Sequence, residues 1–298
     1  MTYQWPNLSA DGKTITIHRL EIESMFKFPD YATTEWLTSN ADLVRNGAVL
    51  DVETTGLSHD DSQIIELGVR QFQFNRETGE VLKLGPSYSG FQDPGEPILP
   101  EITDLTGITD EMVKGKSLDW QAVERIIETS QIMIAHNASF DRPFIDARST
   151  HSPERVWACS VNQIDWDGKG LPSKKLEVLS FYHGFFNDAH RALNDADSLL
   201  YLLSQKDQDA GAPYLLELIN EARKSLVIVY ATYAPFEVKD ALRDRRYRWS
   251  APEKVWSRKI SKEQLNEEIE WLCSEVYRGP FRGKTVEILP KDQFKLRS

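Results

Sequence analysis

Four carboxylates, Asp51, Glu53, Asp141 and Asp195, and one imidazole, His190, stand in separate segments between residues 51 and 195. Carboxylate oxygens suit hard divalent cations; thiolates do not. Two such cations about 3.5–4 Å apart can stabilise both the attacking and the leaving oxygen of a displacement at phosphorus. The residue types therefore point to two-cation hydrolysis of a phosphodiester, provided that the fold gathers them.

The local patterns say how it would. Gly47-Ala-Val-Leu-Asp-Val52 reads as a buried central strand, and side chains two apart on a strand share a face, so Asp51 and Glu53 can reach one cation. Thr54-Thr55-Gly56-Leu57 then turns at the strand end, where open α/β sheets bind ligands. A second short strand, Gln131 to Ala135, leads through His136 and Asn137 into a helix with Ser139 as its expected N-cap; this sets Asp141 beside the first pair. His190 and Asp195 lie near the start of an apolar helix expected over Ala189 to Leu203, with His190 at its entrance and Asp195 turned inward. Carboxylates within about 4–6 Å raise one another's pKa unless cations compensate. A histidine, with an ordinary pKa of about 6.5, is matched to taking a proton from water. The assignment is His190 as general base, Asp51, Glu53 and Asp195 as metal ligands, and Asp141 as ligand of the second ion, directly or through water.

Further elements must hold these segments. Gln63 to Phe72 and Glu80 to Leu84 read as strands that complete an antiparallel meander with the first. Ser117 is the expected cap of a helix running to Glu128, and Leu176 to Tyr182 is a further helix. Lys13 to Ile17 alternates as a half-buried strand, with Arg19 to Ile22 as its expected continuation. Strands alternating with helices imply an α/β sheet flanked by helices.

The 298 residues carry 40% hydrophobic and 27% charged side chains, with no apolar run of about 18, which excludes a membrane-spanning helix. Met-Thr-Tyr-Gln-Trp-Pro lacks the pattern of a signal peptide, and Cys159 and Cys273 lack zinc-site spacing; both fit a cytoplasmic location. The net charge of −11 is uneven: from Ser225 onward 15 Lys and Arg face 11 Asp and Glu. An acidic catalytic region joined to a mildly basic tail is compatible with a polyanionic substrate.

Asp-Val-Glu-Thr-Thr-Gly-Leu, Ile-Ile-Glu-Leu-Gly, Leu-Thr-Gly-Ile-Thr, Ala-His-Asn-Ala-Ser-Phe-Asp and His-Arg-Ala-Leu-Asn-Asp-Ala together resemble the DnaQ-like, DEDDh family of 3′-to-5′ exonucleases, in its proofreading-subunit and exonuclease X branch. The resemblance covers about residues 46 to 206 and matches all five catalytic positions in order. It implies a ribonuclease H-like mixed sheet, two Mg²⁺ or Mn²⁺ ions, and release of nucleoside 5′-monophosphates from a free 3′ end. It also implies substrate contacts by Thr54, Leu57, Thr106, Asn137 and Phe140, and a structural acceptor role for Glu66.

The organisation expected is an N-terminal extension over 1–45, an exonuclease domain over 46–210 and a small α/β module over 211–298. In that module basic and aromatic residues interleave around Arg243, Arg245, Arg246, Arg248, Trp249, Trp256 and Trp271, a pattern that binds single strands by phosphate contact and stacking and that also serves as a small core. It loosely resembles a module attached to exonuclease X-like proteins. The expected partner is nucleic acid with a free 3′ end, DNA ahead of RNA, in repair, proofreading or defence. RNA trimming and a catalytically silent binding scaffold stand as alternatives. Related exonucleases occur as monomers and as dimers, which leaves a homodimer open.

Overall fold

In the computed structural model, residues 8–188, 190–207 and 210–296 are described; residues 1–7, 189, 208–209 and 297–298 lie outside them, and with them the start of the sequence read for a signal peptide and the first residue of the helix expected over Ala189 to Leu203. The apolar run ahead of Asp51 lies in a long strand, β1 (Val44–Thr54). β1 pairs antiparallel with β2 (Ile64–Asn75), and β2 antiparallel with β3 (Val81–Phe91), forming the expected meander. The other edge of β1 pairs in parallel with β4 (Ile132–Ala135), which pairs in parallel with β5 (Val156–Cys159). The order β3-β2-β1-β4-β5 is a five-stranded mixed sheet of the ribonuclease H-like kind.

Strand β1 is apolar on both faces because helices cover both. One face packs Leu50, Val52, Leu67, Val69 and Met133 against α1 (Trp120–Thr129) and α2 (Ala138–Asp146) through Val123, Ile127, Phe144 and Ile145. The opposite face packs Val49, Phe72 and Ile134 against α3 (Leu176–Tyr182), α4 (Ala192–Ser204) and α5 (Tyr214–Ala222), through Leu179, Leu199, Leu203 and Leu218. Burying each such side chain contributes about 1.5–3 kcal/mol, so the two layers fix the sheet between them.

Several local expectations shift. Asp119, not Ser117, caps α1: its carboxylate accepts the Ala122 N–H at 3.0 Å, because Leu118 is drawn into the core before the helix starts. Asn137 holds the N-cap position of α2 without a side-chain bond, and Ser139 falls inside the first turn. Lys13 to Ile17 makes only an isolated bridge, Leu8 to Ile15; alternation without a long partner edge does not make a strand. His18–Arg19 instead pairs in parallel with Phe185–Phe186, and Ile22–Met25 is helical.

The chain forms two compact units, residues 1–222 with 294–298, and residues 223–293. The first runs past the expected division at 210 because α5 buries Tyr214, Leu215, Leu218 and Ile219 in the α4 layer. The second contains β6 (Leu226–Ala231), α6 (Lys239–Asp244), β7 (Arg248–Ser250), β8 (Val255–Ser261), α7 (Leu265–Trp271) and β9 (Lys284–Ile288). Its sheet has the order β9-β6-β8-β7. Ser261 and Gln264 form a capping box ahead of α7. Trp256 and Trp271 pack on its core, while Trp249 is half exposed against Trp256. Among the described residues no helix is long and apolar enough to cross a membrane.

Candidate active site

The parallel pair β1 and β4 brings two strand ends side by side, and the expected residues gather there. Asp51 and Glu53 share the β1 face that carries Val49, the face covered by α4. The β1–β2 ladder slips by one residue between Glu53 and Thr54. Such a bulge bends the strand, and it does so at the entrance to the Thr54–Leu57 turn. The Thr54 hydroxyl donates to the Gly56 carbonyl at 2.6 Å and holds that turn.

Asp141 lies in the first turn of α2, buried, and accepts the Val52 N–H at 3.2 Å. Val52 sits between Asp51 and Glu53, so one hydrogen bond ties the second acidic segment to the first. At the start of α4, the His190 backbone N–H donates to Asp195 at 2.8 Å. His190 adopts φ +63°, a left-handed conformation that lets the chain reverse into the helix and that histidine tolerates better than most residues.

Three alternate residues of β2 dock α4 against the site. Glu66 accepts the Ala192 N–H at 3.3 Å and pairs with Arg191 at 3.2 Å. Gly68 stands opposite Asp51, and a Cβ added there would lie 2.1 Å from the Leu193 nitrogen, so only glycine lets the helix backbone come this close. Arg70 forms a two-pronged ion pair with Asp197, one contact being 3.0 Å, and a third contact with Glu23 at 2.9 Å. Glu66 thus has the acceptor role expected of it, whereas sequence reasoning passed over Gly68, Arg70 and Arg191. For Gly68 and Arg70 the available signal was the period of two in Ile-Ile-Glu-Leu-Gly-Val-Arg, which places both on one face with Glu66. Gly68→Ala is expected to destabilise the fold by about 1–3 kcal/mol through overpacking. Turnover should fall with it as Asp195 is displaced; a variant with wild-type melting and activity would contradict this docking role.

Electrostatics sets the pocket apart. Burial, then Asp195, Glu66 and Asp141, push Glu53 up to about 8. Burial raises Asp141 to about 7 against the opposing Val52 hydrogen bond, and Asp195 to about 6 against the N–H of His190. Asp51 is raised well above the ordinary range by burial, then by Asp141, Asp195 and Glu53. Glu53, His190 and Asp195 present donor atoms within 4.8 Å of one another. An oxygen-rich donor set with excess negative charge, opposed by Arg191, fits hard divalent cations.

A pH dependence follows. An acid raised on folding binds more protons in the folded than in the unfolded protein between its ordinary and its raised pKa, so stability falls as pH climbs through that window. For Glu53 the window runs from 4.5 to about 8. Melting of the metal-free protein should therefore drop across it, and Mn²⁺ or Mg²⁺ should restore more stability at the high end than at the low end. Scanning calorimetry with and without metal tests this; a pH-independent metal effect would contradict it.

The remaining expected residues are placed as follows. Leu57 is 84% exposed at the tip of the turn. Asn137 is exposed and Phe140 half-buried at the start of α2, with the Phe140 carbonyl 3.0 Å from His59 Nε2. Thr106 is buried, its hydroxyl donating to Ile102 at 2.8 Å and accepting from Ile108 at 3.1 Å. His136 is held by Ser160 and the Lys174 carbonyl, both at 2.7 Å, which accounts for it structurally.

Comparison with known proteins agrees with this geometry. The RNase T family model, described as exonuclease, matches residues 48–203, more than half of the chain. A DNA polymerase III PolC-type from Listeria monocytogenes is 36% identical over 170 residues, covering 54% of this chain and 11% of its own length. One from Caldanaerobacter subterraneus is 29% identical over 189 residues, covering 60% and 13%. The chain thus spans about a tenth of the length of these curated relatives. Among solved structures, the nuclease domain of 3′hExo, a DEDDh family member bound to rAMP, has 18% identity and a TM-score of 0.44, covering 58% of this chain and 94% of that one. Exonuclease X in complex with 5′ overhanging duplex DNA has 21% identity and a TM-score of 0.40, covering 57% and 99%. The chain belongs to the RNase T family of exonucleases.

Proposed function

We propose that this exonuclease removes nucleotides from the free 3′ end of DNA, single-stranded or frayed, and releases nucleoside 5′-monophosphates, in repair or proofreading. The observation that carries the reading is the convergence of four raised carboxyls and His190 at one strand end. Asp51, Glu53 and Asp195 would hold one Mg²⁺ or Mn²⁺ and Asp141 the second, directly or through water. When bound, such cations supply stabilisation of charge on the attacking and leaving oxygens. His190, held at the mouth of α4 by its bond to Asp195, takes the proton from the attacking water. Leu57, Asn137 and Phe140 lie on accessible surface around the two strand ends and contact the terminal nucleotide; Thr54 and Thr106 act by shaping their loops. DNA is favoured by relatives named as DNA polymerases, such as the one 36% identical over 170 residues.

The test is digestion of matched single-stranded, double-stranded, mismatched and RNA oligomers labelled at the 5′ end. A ladder shortening from the 3′ end, fastest on DNA with an unpaired terminus, is expected. Equal or faster RNA decay would replace the DNA reading. Absence of degradation with either Mg²⁺ or Mn²⁺ would overturn the assignment of the site.

A further inference from the structure

The catalytic reading leaves one surface of the small unit unused. Alternate positions divide its four-stranded sheet into two faces. Val227, Val229, Ala231, Trp256 and Ile260 point to the side where Leu242, Leu272 and Val276 complete a core. On the other side, register places Arg248, Ser257, Tyr230 and Lys284 directly opposite one another across all four strands. The next row holds Lys259, Ile228 and Val286, of which Ile228 is buried, so the row accessible along its length is that of Arg248, Tyr230 and Lys284. Arg248, Lys259, Lys284 and Val286 are exposed, and Tyr230 is half-buried between its cationic neighbours.

Charge distinguishes this face. None of its strand positions is acidic, while residues 223–293 as a whole carry 15 basic and 11 acidic side chains. Within the unit Arg245 and Arg258 converge on buried Glu268, and Arg243 pairs with Asp240. Arg248 and Lys284 are exposed on this face, and the half-buried Tyr230 ring lies between them.

We propose that this sheet face is a docking surface for single-stranded nucleic acid, with Tyr230 stacking a base and Arg248 and Lys284 meeting phosphates. Strands spaced about 4.8 Å apart put Arg248 and Lys284 about 14 Å from each other, a span of several nucleotides rather than one phosphate. Four-stranded sheets bind unpaired strands in this way because an aromatic on an open face accepts any base, while flanking cations follow the backbone. Duplex fits less well, since its bases are stacked away from such a platform. The inference rests on the exonuclease reading for its substrate class and extends it to a second contact.

The test uses the full chain with EDTA present, so that no cleavage occurs, and follows fluorescence anisotropy of a labelled oligo-dT across a salt series. Arg248→Glu with Lys284→Glu is expected to weaken binding by about tenfold or more and to flatten the salt slope by roughly 1.4, the value for two lost contacts on a single strand. Tyr230→Leu should weaken binding without changing that slope. A charge-matched control, Lys262→Glu with Arg278→Glu, alters exposed cations off this face and should bind as wild type. Unchanged affinity in a normally melting Arg248/Lys284 variant, or an equal loss in the control, would overturn the proposal. Failure of the exonuclease reading is read separately, as absence of cleavage by the wild-type chain when metal is restored.

Discussion

Asp51→Asn is expected to lower turnover of a 5′-labelled DNA oligomer by about 10³-fold or more, with the protein still folded. Asp51 lies at the centre of the acidic cluster, its charge opposed by Asp141, Asp195 and Glu53 together. An amide keeps the shape and removes the charge that a divalent cation would balance. Loss of several kcal/mol of transition-state stabilisation is the order expected when a metal is displaced, and each 1.36 kcal/mol is a factor of ten. The same change removes repulsion from the metal-free protein. Its melting temperature in EDTA should hold or rise, while the gain on adding Mn²⁺ should shrink. Turnover within tenfold of wild type would sink the metal-ligand assignment, and a collapsed melting transition in EDTA would show that Asp51 stabilises the fold instead.

His190 gives the second large effect. Removing a general base lowers the chemical step by about 10²–10⁴-fold. Because His190 stands at φ +63°, alanine would add backbone strain, and His190→Asn is the cleaner variant since asparagine tolerates that conformation. Its backbone N–H would still reach Asp195, so the entrance to α4 is kept. Single-turnover rates at saturating Mn²⁺ should fall while calorimetric metal affinity stays within a few-fold. The imidazole also lies within 4.8 Å of donor atoms on Glu53 and Asp195, close enough to serve as a ligand. A collapse of metal affinity in His190→Asn would therefore move His190 from base to ligand.

The docking of α4 shows why these effects should be sensitive to residues that touch no substrate. Glu66, Gly68 and Arg70 meet Ala192, Leu193 and Asp197 in turn, so one face of β2 sets both the height and the rotation of the helix that carries Asp195. Breaking a buried ion pair such as Arg70–Asp197 by removing one partner is worth about 3–5 kcal/mol, more than a surface contact could be.

What the amino-acid sequence determined by itself was local and periodic. Residues two apart on a strand share a face, so Asp51 and Glu53 were legible as a pair, and the apolar alternations around them announced the meander and the helices. The family, and the five candidate site positions, were legible in short motifs that can be read without coordinates. Helix starts were less legible. Asp119 displaced Ser117 because burial of Leu118 decides where the chain can turn, and burial is a property of the whole core. The same holds for α5, whose packing against α4 carried the first unit past residue 210. Only the tertiary structure joined Asp141 to Val52, closed Gly68 onto Leu193 and aligned Arg248, Tyr230 and Lys284 across a sheet. Those contacts link residues far apart in the chain, and strand register and helix docking, which no local pattern encodes, choose which of them meet.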